Sequence, residues 1–172
     1  MGSDVSLRSV GCVTRSACSR CVGGFERQRL RCRSNIANRR LKERLVGCTD
    51  WEAFPASSVC QSLFGGWANI DEITFHTWGL SGLTLRLFDH EREEWSLYWS
   101  SSDTGRLFPP VVGRFADGVG VFYGDDVHEG TPVRVRFTWS RITPRSARWE
   151  QAFSADGEHT WETNWYMDIT RA

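Results

Sequence analysis

Hydrophobic and polar residues alternate along much of this chain, and the clearest example is the stretch 147–165, ARWEQAFSADGEHTWETNW. Two runs with strand character flank a turn centred on an Asp-Gly dipeptide. If the turn sits midway, Trp149 faces Trp165 and Glu150 faces Asn164. One side of the predicted hairpin is then aromatic and the other polar, which is the sorting that a half-buried antiparallel sheet requires.

The same alternation recurs about every dozen residues and predicts ten strands closed by turn residues. They lie near 36–46, 52–62, 67–76, 82–89, 94–101, 107–115, 119–124, 132–140, 146–154 and 161–170. The segment 38–46 also contains good helix formers, but its context favours a strand. Short antiparallel strands joined by short turns predict an all-β fold, either an up-and-down barrel or a sandwich, and the short connections favour the barrel because closure removes exposed edges. A barrel of eight to ten strands can enclose a small ligand.

Pairing of the strands 132–140 and 146–154 around Thr143 extends the two faces across three strands. The predicted polar row is Arg136, Glu150 and Asn164, and the predicted aromatic row is Phe137, Trp149 and Trp165. A solvent-facing polar row is a cross-strand charge ladder. A cavity-facing row orients a polar head group, and Glu150 is then a weak candidate for a general base. Both alternatives stay open at this point.

The chain has nine Trp and ten Phe but only two Met, and large rigid rings suit pleated strands and cavity walls. The rings either fill the core or surround a pocket. A second polar cluster, GGWANIDE, contains Asn69, Asp71 and Glu72, for which surface polarity is the competing interpretation. The predicted ligand-binding residues are Trp67, Asn69, Trp99, Arg136, Trp139, Trp149, Glu150, Asn164 and Trp165.

The net charge is zero because a basic N-terminal part, residues 1–44, balances an acidic remainder, residues 45–172. Residues 1–44 contain eleven Arg and Lys against three Asp and Glu, and they also contain Cys12, Cys18, Cys21 and Cys32. The Cys18-x-x-Cys21 spacing suits a metal knuckle. Arg-rich, acid-poor sequence is also typical of a transit peptide or a basic arm. The favoured interpretation is a disordered tail over 1–34, followed by one barrel domain over 35–172. The tail could even be sequence translated from the wrong start or reading frame.

Several function classes find little support in the residues. The chain lacks a GxSxG motif, the four histidines lack metal-binding spacing, and the acidic loop 124–130 lacks the ligand order of a calcium site. No apolar run approaches the ~20 residues that span a bilayer, and no signal peptide is recognisable. We therefore expect a cytoplasmic protein without a metal site, a membrane partner or a nucleic-acid partner, since the folded part is acidic.

Several segments are similar to a widespread bacterial family known only as a domain of unknown function. They are GLTLRLFD, WSLYW, PPVVGRFADGVGVFYGDD, VRVRFTWSRITPRSARWEQAFSADG and TWETNW. The resemblance runs from Asn38 to Arg171 and implies a calycin-like barrel, of the lipocalin or fatty-acid-binding type, with room for a small apolar molecule. The family usually opens with an aromatic first strand, which residues 1–34 do not match.

The expected function is reversible binding of a small, largely apolar or amphipathic molecule inside the barrel. The alternative is an enzyme, such as a cyclase, isomerase or hydrolase, that uses a cavity carboxylate as general acid or base. A third hypothesis is a non-catalytic interaction module with an exposed aromatic patch. The residues specify neither a cofactor nor an oligomeric state.

Overall fold

The computed structural model describes residues 31–172, which form a closed antiparallel barrel of ten strands. The strands are β1 Arg31–Leu41, β2 Trp51–Leu63, β3 Ala68–Phe75, β4 Leu80–Asp89, β5 Glu94–Ser101, β6 Val111–Ala116, β7 Val119–His128, β8 Thr131–Ser140, β9 Ser146–Ser154 and β10 Glu162–Arg171. Each strand pairs with its neighbours in sequence, and β1 closes the ring on β10. The predicted all-β up-and-down barrel is confirmed. In the described residues, no helix has the length and apolar character to cross a membrane.

The first strand lies earlier in the chain than predicted. It ends at Leu41, after which the 42–50 connection reverses the chain, with Leu45 at a φ of 62° and Lys42 donating its N–H to the Asp50 carbonyl. Residues 31–34 are therefore part of the barrel, and the predicted domain boundary after residue 34 falls inside β1. The predictions for residues 1–30, including the Cys18-x-x-Cys21 knuckle, lie outside the described residues.

The predicted pairing of Arg136 with Glu150 is wrong by two residues. Arg136 pairs with Ala152, and Glu150 pairs with Thr138. The β8–β9 turn is centred on Pro144 rather than Thr143, since Ser140 pairs with Arg148. Within this turn the Thr143 hydroxyl accepts the backbone N–H groups two and three residues further on, at 3.1 and 2.9 Å. A shift of two keeps each side chain on its face but changes its neighbours.

The predicted pairing of Glu150 with Asn164 is also wrong, because a β-bulge interrupts β10 between Thr163 and Trp165. Beyond the bulge, Glu150 pairs with Tyr166. A bulge inserts one residue and re-aims its side chain. Asn164 is the inserted residue, and it is fully buried rather than part of an outer polar row.

The predicted pairs of the aromatic row are also wrong in register, because Phe137 pairs with Gln151 and Trp149 pairs with Met167, but the three rings still contact one another. The rings of Phe137 and Trp149 lie 4.8 Å apart between centroids, and those of Trp149 and Trp165 lie 5.8 Å apart. These residues alternate with outward-facing neighbours along β8, β9 and β10, so their side chains point into the barrel. The period-two pattern therefore identifies the inner face correctly even where the neighbours differ.

The interior is divided into two hydrophobic clusters. One is built around Phe54 and Phe75 on β2 and β3, and the other around Trp95 and Phe122 on β5 and β7. The first cluster continues onto β10, and the second continues onto β8 and β9. Residues of both clusters line a shared cavity, so the centre of the barrel is not filled solid.

An inward glycine makes room for one of the large rings. A Cβ atom on Gly82 of β4 would lie only 1.8 Å from the Trp99 ring on the neighbouring strand β5. The glycine therefore lets the Trp99 ring lie flat against the barrel wall.

We expect Asp156→Ala to destabilise the protein at neutral pH and to do so less in acid. The Asp156 carboxylate accepts hydrogen bonds from Ser154 Oγ, Thr160 N and Thr160 Oγ1 at 2.8, 2.9 and 2.6 Å, and these bonds hold its pKa well below the usual range. A depressed folded-state pKa contributes stability above the unfolded pKa of about 4 and loses it as pH falls further. Urea unfolding of both proteins at pH 7 and pH 3 measures this; an equal difference at both pH values would contradict it.

Candidate functional site

A cavity of about 410 Å³ lies between the two hydrophobic clusters. Its wall is largely aromatic and aliphatic, with polar side chains concentrated in two places. The rings that line it include Trp99, Phe137, Trp139, Trp149 and Trp165. A mostly apolar pocket with a few convergent polar groups is the usual form of a small-molecule site.

The first polar group is the Arg86 cluster, which consists of Asn69, Asp71 and Arg86 on the adjacent strands β3 and β4. Arg86 is 6 % exposed, and it donates from Nη1 to Asn69 Oδ1 at 2.7 Å and from Nη2 to Asp71 Oδ2 at 3.2 Å. Its guanidinium carbon lies 5.4 Å from the centre of the Trp139 ring. A buried charge needs such a partner, because burial of an unpaired ion is very costly.

The Cys60 side chain lies beside this cluster and lines the same cavity. Its Sγ is 3.9 Å from Asn69 Oδ1, and burial raises the pKa of the Cys60 thiol to about 11. The thiolate is the nucleophilic form of cysteine, and a raised pKa keeps it scarce at neutral pH. This environment favours a packing role for Cys60 over a catalytic one.

The second polar group lies near the 42–50 connection, where Arg40 lines the cavity. Arg40 Nε donates to Glu52 Oε1 at 3.0 Å, and the guanidinium carbon lies 4.3 Å from the centre of the Trp78 ring and 5.4 Å from that of Trp165. Charge pairing and ring stacking together fix the guanidinium at this end of the cavity.

Arg44 adds a second cation at the same end of the cavity. Burial and, after it, the neighbouring Arg40 lower the pKa of Arg44, while the charges of Glu52, Glu162 and Glu129 act in the opposite direction. Arginine keeps its proton throughout the physiological range despite this. The connection that carries Arg44 is tied to β10, since the Leu45 N–H donates to the Glu162 carboxylate at 2.9 and 3.0 Å.

Five of the nine predicted ligand-binding residues lie in or directly beside the cavity. Four of them line it: Trp99, Trp139, Trp149 and Trp165. Asn69 is fully buried and acts through its hydrogen bond to Arg86. Asn164 is also fully buried, and its Oδ1 accepts a hydrogen bond from Gln151 Nε2 at 2.9 Å, but its side chain is not part of the cavity wall.

The other three predicted residues lie elsewhere. Arg136 lies on the outer wall over the Trp161 ring, at 4.4 Å from its centre. Glu150 is also on the outer wall, since it is adjacent to the inward-facing Trp149 on β9. Trp67 packs against Phe88, with ring centroids 5.0 Å apart, rather than against the cavity. The Arg136–Glu150–Asn164 row therefore does not exist as a cavity constellation.

Sequence reasoning missed Arg40, Arg44 and Arg86 as cavity residues. The alternation in LTLRLF places Thr84, Arg86 and Phe88 on one face, but it does not identify that face as the inner one. Asp71 was recognised as part of a polar cluster but not as the partner of Arg86. In residues 31–172, no group of three His, Cys, Asp or Glu side chains is placed to hold a metal ion.

Comparison with known proteins finds no protein family and no curated protein that matches this chain. The closed ten-stranded antiparallel barrel is consistent with a calycin-like fold. Fold alone does not assign an activity. The functional argument therefore rests on the cavity and its lining residues.

Proposed function

We propose that this barrel reversibly binds a small, largely apolar molecule in its central cavity. The observation that carries the proposal is the cavity of about 410 Å³ between the two hydrophobic clusters, lined by rings from β5, β8, β9 and β10. Apolar contact supplies roughly 25 cal/mol per Å² of buried surface, from which the entropy of ordering the ligand is subtracted.

We further propose that the protein has a calycin-like fold, is related to the bacterial family of unknown function and is located in the cytoplasm. Its support is the set of similar segments between Asn38 and Arg171 and the barrel that they form. The enzyme alternative loses its candidate base, since Glu150 lies on the outer wall. Asp71 lines the cavity, but one of its carboxylate oxygens already accepts a hydrogen bond from Arg86.

A fluorescent titration with the neutral probe N-phenyl-1-naphthylamine tests this proposal. Ser58 lines the cavity from β2, whereas the preceding Ser57 points outward and contacts His76. We expect the probe to bind the wild type with enhanced fluorescence. Ser58→Trp is expected to weaken binding at least about tenfold, because the new ring occupies the space that the probe needs.

Ser57→Trp is the matched control, because it adds the same ring one residue away on the opposite face. Its affinity for the probe is expected to equal that of the wild type. Far-UV circular dichroism of both variants shows whether the barrel is retained. Absence of probe binding to the wild type, or equal weakening by both substitutions in folded proteins, would overturn the proposed function.

A further inference from the structure

We propose that the ligand carries an uncharged polar group with both a hydrogen-bond donor and an acceptor, such as a primary amide or a lactam, and that this group is held by the Arg86 cluster. The inference rests on the proposed function and specifies its ligand class. It predicts that neutral head groups are preferred over carboxylates, which is not the preference that a cavity containing several arginines suggests at first.

The charge balance of the Arg86 cluster favours an uncharged head group. Arg86 and Asp71 form a salt bridge of 3.2 Å, with side chains 7 % and 18 % exposed, so one positive and one negative charge already neutralise each other. A ligand carboxylate would place a second negative charge beside the same guanidinium, and a ligand ammonium would place a second positive charge there. Both are unfavourable where water is largely excluded.

The unused hydrogen-bond capacity near Arg86 favours a head group with both a donor and an acceptor. Four buried atoms on contacting side chains have no hydrogen-bond partner among the described residues: Arg86 Nε, Asn69 Nδ2, Trp139 Nε1 and Asp71 Oδ1. The first three are donors and the fourth is an acceptor. Unmet buried polar groups are destabilising, so a ligand group that accepts from the donors and donates to the carboxylate gains affinity.

The other end of the cavity does not provide an anion site that would compete. Arg40 is engaged by Glu52, and Arg44 lies in the field of the Glu52, Glu129 and Glu162 carboxylates. The carboxylates near these two arginines therefore outnumber them. The neutral Arg86 cluster remains the place where the polar end of a ligand is bound.

Competition between three ligands that share a ten-carbon acyl chain, called the ten-carbon ligands below, tests the inference. Decanamide, methyl decanoate and sodium decanoate displace N-phenyl-1-naphthylamine at pH 8, where the decanoate is fully ionised. We expect decanamide to bind at least about tenfold more tightly than decanoate, with the ester between them because it only accepts hydrogen bonds.

Asp71→Asn supplies the decisive variant, because it removes the charge that neutralises Arg86 while keeping the size of the side chain. A ligand carboxylate then replaces the lost partner, so decanoate is expected to gain at least about tenfold in affinity and to overtake decanamide. Asp168→Asn is the matched control. It removes a carboxylate that pairs with Arg148 at 2.6 Å on the outer wall, and it is expected to leave the order of ligands unchanged.

The outcomes separate the two proposals. Binding of the ten-carbon ligands with decanoate equal to or tighter than decanamide in the wild type would overturn this inference and leave the ligand-binding function standing. An unchanged order in folded Asp71→Asn would also overturn it. If neither the probe nor any ten-carbon ligand binds the wild type, the proposed function is overturned and this inference with it.

Discussion

Replacing Arg86 by Met is expected to lower the free energy of unfolding by about 3–5 kcal/mol, the usual loss when one partner of a buried ion pair is removed. Arg86 is the donor for both Asn69 Oδ1 and Asp71 Oδ2. Methionine has a similar length and no donor, so both acceptors lose a partner without regaining water. Urea unfolding at pH 7 measures the change.

The double variant Arg86→Met, Asp71→Leu separates the lost pairing from a lost packing contact. Replacing a whole buried ion pair by apolar residues is often neutral or stabilising. We therefore expect the double variant to be more stable than Arg86→Met alone, with a clearly non-additive thermodynamic cycle. A double variant less stable than the single one would show that the ion pair is not what makes Arg86 important to the fold.

Trp95→Ala is expected to reduce the free energy of unfolding by about 3–5 kcal/mol as well, through a different mechanism. Trp95 is 1 % exposed and belongs to the core cluster on β5 to β9. Its ring lies 5.3 Å from that of Phe88, measured between centroids. Removing the indole takes away its burial and leaves a void that a closed barrel cannot collapse to fill.

Trp161→Ala is the matched control for this prediction. Trp161 lies against Tyr123 and Arg136 on the outer wall. The centre of its ring is 6.0 Å from the centre of the Tyr123 ring and 4.4 Å from the guanidinium carbon of Arg136. Removing a partly exposed ring leaves no internal void, so we expect a loss of about 1 kcal/mol or less. Similar losses for the two variants would contradict the assignment of Trp95 to the core.

The fold could be predicted from the sequence because most strands have one buried and one exposed face. In β8, Val133, Val135, Phe137 and Trp139 alternate with polar residues, and all four point into the barrel. A period of two specifies a strand and its inner face without any knowledge of the partner strand. Turn residues then limit the number of strands and favour a meander.

Register was the first part that the sequence could not determine. Both errors arise from single local features: a β8–β9 turn centred on Pro144 instead of Thr143, and a bulge at Asn164 in β10. Each one changes the cross-strand neighbours and leaves the period-two pattern intact. The predicted polar row depended on neighbours, so it failed, whereas the aromatic contacts survived because large rings also reach diagonal positions.

The polar part of the site was the second feature that the sequence could not determine. In β4, the three leucines at 83, 85 and 87 lie on the outer wall, and Thr84 and Arg86 point inward. Hydrophobicity alone gives the opposite assignment. Arg86 is acceptable inside only because Asn69 and Asp71 stand opposite it on β3, and that pairing is a tertiary fact absent from any local pattern.

A crystal structure of the protein with bound N-phenyl-1-naphthylamine tests the central claim most directly. The account predicts electron density for the probe inside the barrel, between Trp99, Phe137 and Trp165. An interior filled by repacked side chains, with the probe found only on the outer wall, would contradict it.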